Sequence, residues 1–88
     1  MRKIIVTQRF EKDFKKLQEI IKNKTEVVVQ LLKKDPRTKA VDLKKLKGFK
    51  KFWRVKVDRN YRLIYTITPD AIELRRIKHR QGIYKSSF

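Results

Sequence analysis

The sequence predicts a small α+β domain in which a helical hairpin packs on one face of a mostly antiparallel sheet. Three observations carry that prediction. Phe10, Phe14, Leu17 and Ile21 recur at spacings of four, three and four, the period of one helix face. After Gly48 the period falls to two, with Trp53, Val55 and Val57 alternating with Arg54 and Lys56. Short turn-forming stretches, "DRN" at 58–60 and "TPD" at 68–70, separate β-rich runs.

The elements follow in order. "RKIIV" (2–6) is a short β-branched stretch and reads as a strand. Thr7 then stands where a helix N-cap belongs. The first helix carries the Phe10 stripe, and Asn23 is placed to end it. Thr25 is placed to cap a second helix, with Val28, Leu31 and Leu32 as its buried stripe. Asp35-Pro36 ends that helix, because the residue before proline is pushed out of the helical region. "FWRVKV" (52–57) is a half-buried strand with a cationic outer face. "YRLIYTI" (61–67) is apolar on both faces and reads as central, and "AIELRRI" (71–77) is the last strand. Three strands joined by short turns make an antiparallel meander, so the order is β-αα-βββ.

The chain has 88 residues, enough for a single domain over 1–88. A domain of this size buries about 60–65% of its unfolded surface, so the core must be compact. There is no cysteine, which excludes disulfides, thiolate metal sites and a cysteine nucleophile, and is compatible with a cytoplasmic location. The apolar run Ile4–Val6 is too short for a signal peptide or a membrane span, so no membrane partner is expected.

The net charge is +17, from 26 Lys and Arg against 9 Asp and Glu. Self-repulsion of that size opposes folding and points to a polyanionic partner: nucleic acid first, an acidic protein second, and an anionic membrane surface only third. The excess is greater in the second half, +10 against +7 for residues 1–44. Residues 44–57, "KKLKGFKKFWRVKV", hold seven cations and no acid. Lys44, Lys45, Lys47, Lys50 and Lys51 read as a solvated cationic face that steers a polyanion in general.

Arg54, Lys56 and Arg62 share one strand parity, opposite to the apolar Tyr61, Leu63 and Tyr65. They are expected on the sheet face turned away from the helices, with His79 and Arg80 placed to join them from just past the last strand. Guanidinium groups bind phosphate oxygens bidentately, and a cationic patch stabilises the extra charge of phosphoryl transfer. His79 is the only imidazole, a side chain suited to proton transfer near neutrality. Against this stand a surface or packing role for His79 and a packing role for Tyr84. The sequence has no glycine-rich phosphate loop, no metal-ligand cluster and no paired carboxylates near the basic half. No cofactor is therefore expected. RNA suits such a site, since its own 2′-hydroxyl can attack the adjacent phosphate.

The ordered set "KLKGFKKFWRVKV…YRLIYTI…IELRRIKHRQGIYK", with "TQRFEKDFKKL" ahead of it, resembles the RelE branch of the RelE/ParE toxin superfamily over essentially the whole chain. The resemblance implies the same β-αα-βββ topology. It implies a metal-free endoribonuclease that cuts mRNA in the ribosomal A site, with an acidic antitoxin that wraps the toxin in a hetero-oligomer. It places Arg54 and Lys56 at the two basic positions of the second strand, Arg62 at the arginine of "YRLIY", Arg80 at the arginine of "HR" and Tyr84 at the terminal tyrosine. Lys56 then helps activate the 2′-hydroxyl or stabilises charge, Arg62 and Arg80 hold the scissile phosphate, and Tyr84 stacks on or orients a base. Some members carry lysine where Arg54 stands, and arginine is a poorer proton acceptor, which leaves it charge stabilisation. Others use a glutamate base with a histidine acid. Here Glu73 is the only glutamate of the second half and its strand position does not obviously reach the site, which points to His79 for the acid role. Two other readings remain: a ParE-like gyrase poison of the same superfamily, and a non-catalytic RNA- or ribosome-binding module.

Overall fold

A computed structural model of the chain describes residues 2–38, 43–46 and 52–83. The elements are β1 (Lys3–Val6), α1 (Gln8–Lys15), α2 (Glu19–Lys34), β2 (Leu43–Lys45), β3 (Phe52–Lys56), β4 (Tyr61–Ile67) and β5 (Ala71–His79). The α+β class is as expected, β1 forms where "RKIIV" predicts a strand, and the sheet gains one short edge strand, β2. Its order is β1-β5-β4-β3-β2, with β1 parallel to β5 and the other pairs antiparallel.

Thr7 caps α1 as its position predicts. Its hydroxyl accepts from the Phe10 N–H at 3.3 Å and donates to the Leu74 carbonyl at 2.8 Å, which ties the helix start to β5. The boundary between the helices lies earlier than the sequence suggests. The Lys16 N–H closes α1 on the Asp13 and Phe14 carbonyls, and Gln18, in extended conformation, starts α2. Asn23 and Thr25 are therefore interior to α2. Thr25 is buried and donates to the Ile21 carbonyl at 2.8 Å. The misplacement has a physical cause: both helices lie on the same core, so the apolar stripe from Phe10 through Leu17 to Ile21 runs across the break without losing phase. At the far end Asp35 and Pro36 stop α2 as predicted, with Asp35 Oδ1 accepting from the Arg37 N–H.

One face of the sheet meets the helices. Phe10, Val28 and Leu32 form a single buried cluster with Val55, Leu63, Tyr65, Ile72, Leu74 and Ile77. Burial pushes the Tyr65 phenol well above its ordinary range; Arg37 opposes this and Asp35 adds to it. The phenol donates to the Pro36 carbonyl at 2.8 Å, pinning the end of α2 to the sheet centre.

A β-bulge sets the phase of β5. Ile64 pairs with Arg76 and Tyr65 with Leu74, so Arg75 is an extra residue on β5. Leu74 before the bulge and Ile77 after it, three residues apart, both reach the helix-side core. The bulge also presents Arg76 to α1, where it pairs with Asp13.

Candidate active site

The register fixes which cations share a face. Val55, Leu63 and Ile77 are cross-strand neighbours in the core, so the next row, Lys56–Arg62–Lys78, projects from the opposite face. Three cations directly opposed on neighbouring strands repel one another. Such a row costs a small domain stability and gives that face a field that attracts anions. Lys78 was not singled out from the sequence. The strand read from the sequence ends at Ile77, whereas β5 runs on to His79, and the bulge reverses the face that strict alternation from Leu74 would give Lys78.

Arg62 is fixed by the β3–β4 turn. Its Nη1 donates to the carbonyls of Asp58, Arg59 and Tyr61 at 2.9, 3.2 and 3.1 Å. This leaves Nε and Nη2 for a bidentate ligand. The turn is itself held. Asp58 Oδ1 accepts from the Asn60 and Tyr61 N–H groups at 2.9 Å each, and Lys24 of α2 lies 3.8 Å from Asp58 Oδ2. Arg80 reaches the same corner, its backbone N–H donating to the Asn60 carbonyl at 2.7 Å, with its side chain exposed. The β3–β4 turn thus joins the two arginines that the sequence separates by eighteen positions.

Arg54 lies on the same face one row along, opposite Ile64 and beside Lys44 of β2. Lys45 has the other parity, paired with Trp53, where Arg37 sits over the indole at 5.5 Å. Lys47, Lys50, Lys51 and Tyr84 lie outside the described residues.

His79 is placed differently from the expectation that it joins the open-face cations. It pairs with Tyr61, a helix-side residue, and its ring meets the Tyr61 ring edge-on at 5.6 Å. Its Nδ1 accepts from the Gln81 N–H at 3.2 Å. With Arg9 and Lys12 of α1 and Lys16 just past its end, it lines a separate cleft of about 430 Å³. The reason is parity: one residue after Lys78, His79 points to the other side of the strand. Glu73 does stand on the open face, but two rows from Arg62, opposite Thr66 and Phe52. Among the described residues, no group of three His, Cys, Asp or Glu side chains is placed to hold a metal ion. No helix among them is long and apolar enough to cross a membrane.

Comparison with known proteins gives a consistent family. Residues 4–84 match the model of the ParE toxin of the type II toxin-antitoxin system, parDE. Toxin RelE3 of Methanocaldococcus jannaschii is 29% identical over 84 residues, covering 93% of this chain and 94% of the relative. The RelB-RelE antitoxin-toxin complex from Methanococcus jannaschii contains a chain of 26% identity and TM-score 0.78, with 92% of this chain and 95% of that one covered. The E. coli DinJ-YafQ toxin-antitoxin complex gives 25% identity and TM-score 0.80, with coverage of 94% and 97%. The chain belongs to the ParE toxin family of type II toxin–antitoxin systems, within the RelE/ParE superfamily.

Proposed function

We propose that this toxin is an endoribonuclease that cleaves mRNA, acting in the ribosomal A site, and so inhibits translation. The observation that carries the proposal is the Lys56–Arg62–Lys78 row on the face turned from the helices, with Arg80 held at the same turn as Arg62. The reaction uses the substrate's own nucleophile. The 2′-oxygen loses its proton and bonds to the adjacent phosphorus. The bond from phosphorus to the 5′-oxygen breaks, and that oxygen takes up a proton. The products are a 2′,3′-cyclic phosphate and a 5′-hydroxyl. In this scheme Arg62 and Arg80 hold the non-bridging oxygens. Lys56 and Arg54 stabilise the charge that builds on phosphorus, work that preorganised cations do well. Tyr84 orients a base, and Lys44, Lys45, Lys47, Lys50 and Lys51 steer the polyanion. His79 faces the other side of the sheet, which favours a supporting role for it over proton transfer.

The partner reading has its own support. The two solved structures named above are antitoxin-toxin complexes, and a chain of +17 suits an acidic antitoxin. Such an antitoxin neutralises this toxin in a hetero-oligomer.

Primer extension on a defined mRNA, with and without translating ribosomes, tests the nuclease. Cuts inside codons that need ribosomes support the A-site reading, and cuts without ribosomes keep the nuclease and remove the A site. The matched family is described by its ParE members, which favours gyrase poisoning as a second reading. No cuts in either tube, with loss of supercoiling activity when gyrase is mixed with the toxin, would establish that reading instead.

A further inference from the structure

Glu73 is out of place on the open face. Among the described strand residues of that face it is the only carboxylate, standing with Lys44, Arg54, Lys56, Arg62, Arg75 and Lys78. A carboxylate beside an RNA strand repels the phosphates, so its presence calls for a different ligand group. Its surroundings supply one. Phe52, Thr66 and Glu73 are direct cross-strand neighbours. Arg75 lies over the Phe52 ring at 5.7 Å, forming a platform of the kind on which bases stack. The Thr66 hydroxyl donates to Glu73 Oε1 at 2.9 Å and sets the orientation of the carboxylate. A cavity of about 760 Å³ at this end of the sheet touches Phe52, Thr66, Glu73 and Arg75, and wraps the sheet end to Arg37, Lys45 and Trp53. Phe52 and Lys56 are four positions apart on the strand, about 13 Å at roughly 3.3 Å per residue. An extended single strand gripped at the cationic row reaches this end of the sheet with its neighbouring nucleotides.

We propose that Phe52, Thr66 and Glu73 form a base-reading subsite that selects guanine near the cleavage point; the inference rests on the ribonuclease reading above. The choice of base follows from donor patterns. Guanine alone presents two adjacent N–H donors, N1–H and the 2-amino group, to the two oxygens of one carboxylate. Adenine and cytosine offer one amino donor beside a ring nitrogen that a carboxylate repels. Uracil offers one N–H between two carbonyls. Glu73 is the specificity-determining residue, Phe52 with Arg75 is the stacking platform, and Thr66 is a positioning residue.

The test uses 2′-O-methyl hexanucleotides, which cannot be cut: all-uridine, and a set in which a single guanosine is moved along the uridine strand. Binding is read by fluorescence anisotropy for the wild type, Glu73→Gln and Arg62→Ala. In the wild type one guanosine position should bind roughly ten-fold more tightly than all-uridine, the scale of a good bidentate base contact. Glu73→Gln should remove most of that preference, while all-uridine binding is kept or modestly tightened by loss of one repelling charge, which also reports that the variant is folded. Arg62→Ala should weaken every oligomer alike and preserve the ratio. The proposal is overturned if no guanosine position is preferred, if no oligomer binds, or if the preference survives in Glu73→Gln. It is also overturned if Glu73→Gln tightens all oligomers equally, since Glu73 would then only balance charge. Failure of the nuclease reading shows separately, as a wild type that prefers guanosine yet leaves ordinary RNA uncut.

Discussion

Asp13 and Arg76 form a bidentate pair across the seam between α1 and β5, with Nε to Oδ2 at 2.7 Å and Nη2 to Oδ1 at 3.0 Å. Asp13 Oδ2 also accepts from the Ile77 N–H at 3.2 Å, so one carboxylate satisfies both a guanidinium and the strand just past the bulge. The pair is largely buried, with side chains 7% and 13% exposed. Asp13→Ala takes the carboxylate away from the Arg76 guanidinium and from the Ile77 N–H. The expected loss is about 3–5 kcal/mol, a large part of the stability of a small domain. Replacing both partners by apolar residues, Asp13→Leu with Arg76→Met, should lose much less than Asp13→Ala alone. Urea unfolding of the single and double variants checks this; a double variant as unstable as Asp13→Ala would refute it.

Thr7 and Thr25 look alike in the sequence and behave differently in the fold. Thr7 caps α1 and bonds to β5, whereas Thr25 sits inside α2 and bonds back to Ile21. Thr7→Ala should lower stability by about 1–2 kcal/mol, as loss of a helix cap does. Thr25→Val keeps the shape, and a back-bonded hydroxyl adds little to a helix interior, so its effect should stay under about 1 kcal/mol. Thermal unfolding of the two variants decides it. Equal losses would mean that Thr25 has a role its position does not explain.

That contrast shows where the sequence is informative. Strand positions and the core faces of β3 and β4 were legible because Trp53, Val55 and Leu63 keep strict alternation and the turns carry Asp, Asn and Pro. The helix boundary was not legible, because Gln18 has no capping signature and the stripe crosses the break in phase. β2 was hidden among lysines, which solubilise an edge strand while masking its pattern. At the candidate site, Arg54, Lys56 and Arg62 share a face as their parity demands. Lys78 was missed and His79 misplaced because "AIELRRI" reads as ending at Ile77, whereas β5 runs on to His79. The bulge at Arg75 then sets the face each one takes, and its only trace in the sequence is the spacing of Leu74 and Ile77.

Tyr65 gives a pH-dependent prediction. Burial raises its folded ionisation above that of a free phenol, which lies near 10. Below about pH 10 the phenol is neutral in both states, and its bond to the Pro36 carbonyl contributes fully. Above about pH 10 the unfolded phenol ionises and the folded one does not, so the folded state holds more protons and stability falls as pH rises. Tyr65→Phe lacks this titration. The variant should be about 1.5 kcal/mol less stable than the wild type near neutrality. That gap should close at about 1.4 kcal/mol per pH unit above pH 10, nearly vanishing by about pH 11. Comparing the two proteins at each pH cancels the titration of the many lysines. A gap constant from neutrality to pH 11 would show that the phenol ionises equally in both states.

The cation row predicts opposite signs for stability and activity. Lys56 is exposed and directly opposite Arg62, so each raises the free energy of the other in the folded protein. Lys56→Gln removes that repulsion and should raise stability by about a few tenths of a kcal/mol. If the row holds charge developing on a scissile phosphate, the same change should lower single-turnover cleavage by roughly 10²–10³-fold, the scale for losing one preorganised charge-stabilising group. Arg62→Lys should act similarly on cleavage, since an ammonium cannot give a bidentate contact while also holding the carbonyls of the 58–61 turn. Paired measurements of unfolding and cleavage on the same preparations separate a functional row from a structural one. A structural role would make Lys56→Gln less stable and equally active, whereas a phosphate-binding role makes it more stable and nearly inactive.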